Sequence, residues 1–213
     1  MKYTIHLLNA SSSLSGYEQL IKNTIDEAFT KMADLLPIRQ VDVVVKNEPF
    51  NVVPEVGIGG YTPDAYTIYL SIDTDFKNFE HNLKAEIPKT IAHEYHHCLR
   101  WNGPGYGTTL AEAIVSEGLA DHFQIELLGG SPQPWCTALS PSEVKLLQPL
   151  AEKEYWVSPY DHASWFFGSN ELNIPKWAAY SLGFAFTQKF LEKTQQKASE
   201  LYETSAKEII ESS

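Results

Sequence analysis

Cysteine is scarce: two residues in 213, Cys98 and Cys136. That count excludes a disulfide framework and allows one bridge at most, so a reducing compartment fits. Positive charge is also scarce. Lys and Arg number 16 against 27 Asp and Glu, giving a net charge of -11, and nowhere do five basic residues cluster. Binding a polyanion requires concentrated cations, so neither nucleic acid nor an anionic membrane is expected as a partner. No apolar run approaches the ~20 residues that span a bilayer. In the opening MKYTIHLLNASSS, Thr4, His6 and Asn9 interrupt any signal-type apolar core. The expected location is therefore cytoplasmic.

What is present is the composition of a globular protein, 43% hydrophobic and 20% charged. Alternation of apolar and polar residues predicts strands over 3–8, 41–45 and 66–72. In the last, Ile68, Leu70 and Ile72 share one face, with Thr67, Tyr69 and Ser71 on the other. Pro49, Pro54, Gly57, Gly59 and Gly60 mark a loop between the second and third strands. Helical spacing appears over 17–36, where Leu20, Ile21, Ile25, Ala28, Phe29 and Met32 recur, and again over 83–100 and 109–128. Gly129-Gly130 closes that last helix, and Ser131-Pro132-Gln133-Pro134 is the best candidate boundary. Further helices are expected over 142–156, 176–193 and 198–211. The expectation is an α+β protein. Residues 1–130 would carry a small mixed sheet, an active-site helix and a glutamate-bearing helix. Residues 131–213 would form a mainly helical part packed with the first as one unit.

The sharpest feature is His93-Glu94-Tyr95-His96-His97, an H-E-x-x-H pattern inside the helix over 83–100. Residues four apart on a helix differ by only about 40° around its axis, so His93 and His97 can reach one metal ion. Glu94 is turned by about 100° from His93 and lies beside the ion, where a carboxylate can take a proton from an activated water. A catalytic zinc site needs a third protein ligand and an open fourth position. The extended pattern with a third histidine fails, because Arg100 and Gly103 stand where Gly and His are required. A G-T-x-x-D pattern fails at Ala111. The remaining source is a glutamate on the next helix, and the candidates are Glu112, Glu117 and Glu126. Glu117 is favoured because Asp121, four residues on, shares its face and could orient a metal-bound histidine. Gly118 would permit close helix approach, and Glu112, about 140° away, points elsewhere.

The other histidines have plainer readings. His96 lies off the His93–His97 face, and His122, His81 and His6 have no partner at a recognised spacing. Cys98 reads as core. Trp156, Trp165, Phe166, Phe167 and Trp177 read as the core of the helical third.

H-E-x-x-H followed by E-x-x-x-D on a second helix resembles the gluzincin group of zinc metallopeptidases. Four runs resemble, within it, the YjaZ-type family of predicted zinc-dependent proteases, filed as a domain of unknown function. They are His93-Glu-Tyr-His-His97, the run 112–123 (E-A-I-V-S-E-G-L-A-D-H-F), the run 57–63 (G-I-G-G-Y-T-P) and the run 174–183 (I-P-K-W-A-A-Y-S-L-G). The resemblance spans about residues 40–190. It departs at Ala179, where glycine is more usual before Tyr180.

The resemblance implies a zincin-like fold with its sheet above the active-site helix. The strand over 66–72 would then form the sheet edge above the cleft. A peptide could add to it along Tyr66, Ile68, Tyr69 and Leu70. It implies one zinc ion per chain, held by His93, His97 and Glu117, with Asp121 behind the ligands. The expected reaction is peptide-bond hydrolysis by a zinc-activated water, with Glu94 as general base. Tyr180 would donate to the oxyanion, with His162 as its rival. Peptide or protein substrates are the expected partners. The alternative is a zincin-fold binding or regulatory protein without significant turnover. An intact Glu94 speaks against it, since a structural zinc site needs no base. A zinc hydrolase of non-peptide amides is a third reading. The same ligands also accept other divalent ions.

Overall fold

The computed structural model describes residues 3–212. The chain forms two compact units, the first ending at Cys98 and the second beginning at Leu99.

The first unit holds β1 (Tyr3–Leu8), α1 (Glu18–Met32), β2 (Val41–Asn47), β3 (Ile58–Asp64), β4 (Thr67–Ile72) and most of α2 (Phe79–Arg100). Val41, Val43 and Val45 on β2 are at most 2% exposed, and Asp42 between them faces water, which is the period of a half-buried strand. On α1, Ile21, Ile25, Ala28, Phe29 and Met32 form the buried stripe that the helical spacing predicts. The sheet order is β1-β2-β4-β3. β1 pairs parallel with β2, and β2 with β4, whereas β3 pairs antiparallel with β4. The β1–β2 connection carries α1, as a parallel crossover requires.

Two expectations are corrected here. The glycine-rich stretch read as a loop contains a strand, β3, in which Ile58 and Thr62 are buried. Gly59, Gly60 and Pro63 hide its alternation, and a proline is tolerated there because β3 is terminal in the sheet. Consequently β4 is not the sheet edge. Its main chain pairs on both sides, Val43 opposite Ile68 and Gly60 opposite Leu70. Tyr66 lies just before β4, and its carbonyl accepts from the Asp42 N–H at 2.8 Å. Ile68 and Leu70 are buried and Tyr69 stands on the exposed face beside Tyr61. Tyr66, Ile68, Tyr69 and Leu70 therefore cannot receive an added strand.

The second unit is helical: α3 (Leu110–Leu128), α4 (Pro141–Glu154), α5 (His162–Phe167), α6 (Ala178–Thr194) and α7 (Ala206–Ser212). The short α5 has no counterpart among the sequence expectations. The helix expected over 198–211 is instead a 3-10 turn, Ala198–Glu200, followed by α7. Thr109 caps α3 in a reciprocal capping box with Glu112, and Ser140 caps α4 in the same way with Glu143. α3 is buried around almost its whole circumference from Leu110 to Gln124. It packs with Trp165, Phe166, Leu182, Phe186 and Phe190 in one core. Gly118 on α3 meets Gly183 on α6: a Cβ on Gly118 would fall 2.3 Å from the Gly183 carbonyl oxygen, and one on Gly183 would fall 2.0 Å from the Ile114 carbonyl oxygen. No side chain fits either place. Among the described residues no helix is long and apolar enough to cross a membrane.

Gly118→Ala and Gly183→Ala should each destabilise the protein by about 1–3 kcal/mol, the usual cost of overpacking a tight core. Thermal denaturation should show midpoints lower by about 2–4 °C per kcal/mol.

Candidate metal centre

α2 is fixed in rotation by the face opposite its histidines. The Tyr95 hydroxyl donates to the Pro37 carbonyl at 2.8 Å and accepts from the Arg39 N–H at 2.6 Å, and its ring meets Phe29 edge-on. With Tyr95 so held, His93 and His97 share another face. Their Nε2 atoms are 3.0 Å apart and their rings are nearly perpendicular, at 83°. Both side chains are buried, at 9% and 5% exposure. At that separation the two nitrogens cannot both aim an N–H at each other, so at least one turns a lone pair inward.

Glu94 is also buried, and two residues of β3 bear on it. The Thr62 hydroxyl donates to Glu94 Oε2 at 2.8 Å. A Cβ on Gly60 would fall 2.4 Å from Glu94 Oε1. Thr62 also hydrogen-bonds the Cys98 thiol, one helical turn beyond Glu94.

On α3 the three candidate glutamates separate cleanly. Glu112 is occupied at the helix start, where its Oε2 accepts from the Thr108 and Thr109 N–H groups at 2.9 and 3.0 Å. Glu126 accepts from the Ser199 N–H at 3.0 Å and the Ser199 hydroxyl at 2.6 Å. Glu117 is buried at 5% exposure, and the Tyr106 hydroxyl donates to it. Burial, and then the Glu117 charge, push the Tyr106 phenol well above its ordinary pKa. The same two causes, in the same order, raise Tyr160. Burial lowers the pKa of His162 against the opposing pull of Glu117 and Asp161. The Tyr160 hydroxyl and His162 Nδ1 are 2.7 Å apart. Tyr180 leans edge-on against Phe166, which stacks on His162. Asp121, fully buried, accepts from Trp135 Nε1 at 3.1 Å and from the Cys136 thiol.

The remaining imidazoles lie elsewhere. His122 stacks on Phe184, its Nε2 is 3.0 Å from that residue's carbonyl oxygen, and burial lowers its pKa. His6 sits beside Asp42 at 2.8 Å on the exposed sheet face. His96 is fully buried and His81 exposed.

His93, His97 and Glu117 each offer a ligand atom, and these atoms all lie within 4.8 Å of one another. Two imidazole nitrogens and one carboxylate oxygen are the donor set of a catalytic zinc site, which keeps a fourth position open. The chemistry of the donors therefore fits zinc.

Thr62, Tyr106, Tyr160, Trp135 and Cys136 are absent from the residues the sequence singles out for these roles. Thr62 stands two residues from Gly60 in the run 57–63, so once that run is seen as a strand the two share a face. Tyr106, Tyr160 and Trp135 lie in connecting segments, where no periodicity announces a partner.

An α+β protein with, among the described residues, a small sheet, seven α-helices and a buried His-His-Glu group is the class these observations define. Residues 21–211 match the family described as "Predicted Zn-dependent protease (DUF2268)", and the chain belongs to it. The chain is also similar to the "Uncharacterized protein YjfC" of Bacillus subtilis (strain 168). The two are 27% identical over 137 residues, 58% of this chain and 46% of that protein. The matched part thus covers just under half the length of that relative. No solved structure matches the chain.

Burial pushes the Cys98 thiol up to about 12, and burial with the adjacent Asp121 pushes Cys136 well above the ordinary thiol range. Both should resist a thiol reagent such as Ellman's in the native protein at pH 8 and react with it fully in denaturant, because the thiolate is the reactive form.

Proposed function

We propose that the chain is a zincin-like, zinc-dependent peptidase that binds one zinc ion through His93, His97 and Glu117. The observation that carries the reading is the buried donor group His93, His97 and Glu117, accompanied on α2 by a carboxylate, Glu94, that is not one of the three. A structural metal site would use a fourth protein ligand and would need no neighbouring base.

When bound there, zinc supplies a Lewis acid that acidifies a water and polarises a carbonyl. Glu94 takes the proton from the attacking water and delivers it to the leaving amine. Asp121 stands one turn beyond Glu117 and orients a ligand histidine from behind. Tyr180 donates to the developing oxyanion, with His162 and Tyr160 as further donors from the same unit, while Tyr106 holds Glu117. Because β3 is the terminal strand, the extended substrate pairs with β3 rather than β4. Peptide or protein substrates follow from that mode of binding. A cytoplasmic setting belongs to the same proposal and is supported by two thiols outside any disulfide.

The test combines elemental analysis with digestion of casein and a broad peptide library. The native protein should carry about one zinc per chain, the stoichiometry of a single three-ligand site. Glu94→Gln should keep the metal and lose about 10²–10⁴-fold in rate. Glu117→Ala should lose the metal while Glu112→Ala keeps it. Full zinc in Glu117→Ala would remove Glu117 from the ligand set. No cleavage by native protein across the library would sink the peptidase reading in favour of a binding role.

A further inference from the structure

We propose that Thr62 of β3 is the positioning residue for Glu94, and that Gly60 provides the space the Glu94 side chain occupies. What Glu94 does in catalysis rests on the peptidase reading above. That Thr62 fixes its place rests on geometry within the first unit.

The Thr62 hydroxyl has one proton and three groups within reach: Glu94 Oε2 at 2.8 Å, the Glu94 main-chain carbonyl at 3.1 Å and the Cys98 sulfur, the weakest acceptor of the three. The carboxylate oxygen is the nearest oxygen acceptor, so the proton points to Oε2. Helix capping does not explain the contact. Glu94 sits inside α2, six residues before its last residue Arg100, and the Glu94 carbonyl there accepts the helical bond from the Cys98 N–H. Thr62 is 6% exposed and Glu94 7%, and a buried carboxylate without donors is costly.

The two side chains differ in stiffness, and that difference makes one the guide of the other. Thr62 is β-branched on a strand, so its χ1, and with it the hydroxyl, is set by the backbone. Glu94 has three torsions and would otherwise sample several rotamers. Gly60, two residues earlier on the same strand face, narrows the choice further. A Cβ there would fall 2.4 Å from Glu94 Oε1, 2.5 Å from Cγ and 2.7 Å from Cδ. The glutamate therefore lies along the backbone of β3, and its far oxygen ends on the hydroxyl.

The experiment uses Thr62→Val, which keeps the shape and deletes the hydroxyl, with Thr62→Ser as the conservative variant and Gly60→Ala as an independent one. Crystal structures read the carboxylate position directly, without reference to activity. In Thr62→Val and Gly60→Ala the Glu94 carboxylate should leave its native place, and in Thr62→Ser it should stay. Kinetically, Thr62→Val should lower kcat about 10-fold or more with KM unchanged, the loss expected on deleting a hydrogen bond to a charged group. Its zinc content should stay native, and Thr62→Ser should restore most of the rate. A carboxylate unmoved in Thr62→Val overturns the proposal, as does an unchanged kcat in Thr62→Val when Glu94→Gln is inactive. Loss of rate that serine does not restore overturns it too, because that signature belongs to packing. Should Thr62→Val fail to fold, an unmoved Glu94 carboxylate in Gly60→Ala overturns the proposal. If the native protein cleaves nothing, the peptidase reading falls alone, and the carboxylate position in the variants still decides the role of Thr62.

Discussion

Taking a carboxylate out of water costs several kcal/mol unless donors replace its hydration, and α3 takes two out at once. It is buried around nearly its whole circumference, and Glu117 and Asp121 sit on it at 5% and 0% exposure. Apolar residues of the same volume would make a cheaper core; under the reading proposed above Glu117 binds the metal and Asp121 orients one of its ligands. The second unit supplies hydrogen-bond donors to both. The segment after α2 brings the Tyr106 hydroxyl to Glu117, and the segment after α3 brings Trp135 and Cys136 to Asp121. Gly118, next to Glu117, lets α6 approach so closely that its carbonyl at Gly183 touches the space a side chain would need.

The first unit solves a different problem, that of aiming a helix. Once Tyr95 is tied to Pro37 and Arg39, the rotation of α2 about its axis is settled. The helical period then carries His93 and His97 to one face, with Glu94 beside them. Two of these three need little further help, since imidazoles one turn apart have short, stiff side chains. Glu94 is the long and flexible member, and it is the one that meets β3. The strand that the sequence concealed as a loop is thus the strand in contact with the carboxylate of the motif.

What was legible in the sequence was whatever a fixed period could express. The His93–His97 pair and the Glu117–Asp121 pair are both i, i+4 relations, and β1, β2 and β4 announced themselves by alternation. Glu112 could have been set aside on the same footing, because Thr109-Leu-Ala-Glu112 is a capping-box pattern that commits its carboxylate to the helix start. Illegible were the relations that run through irregular backbone. Gly59, Gly60 and Pro63 erase the alternation of β3, and with β3 unseen β4 passed for an edge. Glu126 meets Ser199 seventy-three residues away, a partner no local pattern encodes. The C-terminal segment kept helical spacing in its apolar residues, but the turn after Ala198–Glu200 divides it before Ala206.

The surroundings of Glu117 also bear on which group could stabilise an oxyanion. Burial and the Glu117 charge raise Tyr106 and Tyr160, so both phenols stay protonated far above neutrality. Burial lowers His162, so its imidazole tends to stay neutral as well. The sequence posed the choice of donor as Tyr180 against His162, but the structure adds Tyr106 and Tyr160 to the contest, and Tyr106 is already spent on Glu117. Under the reading proposed above, that bond to Glu117 takes the Tyr106 hydroxyl out of the choice, and Tyr160, 2.7 Å from His162 Nδ1, joins His162 as the rival to Tyr180.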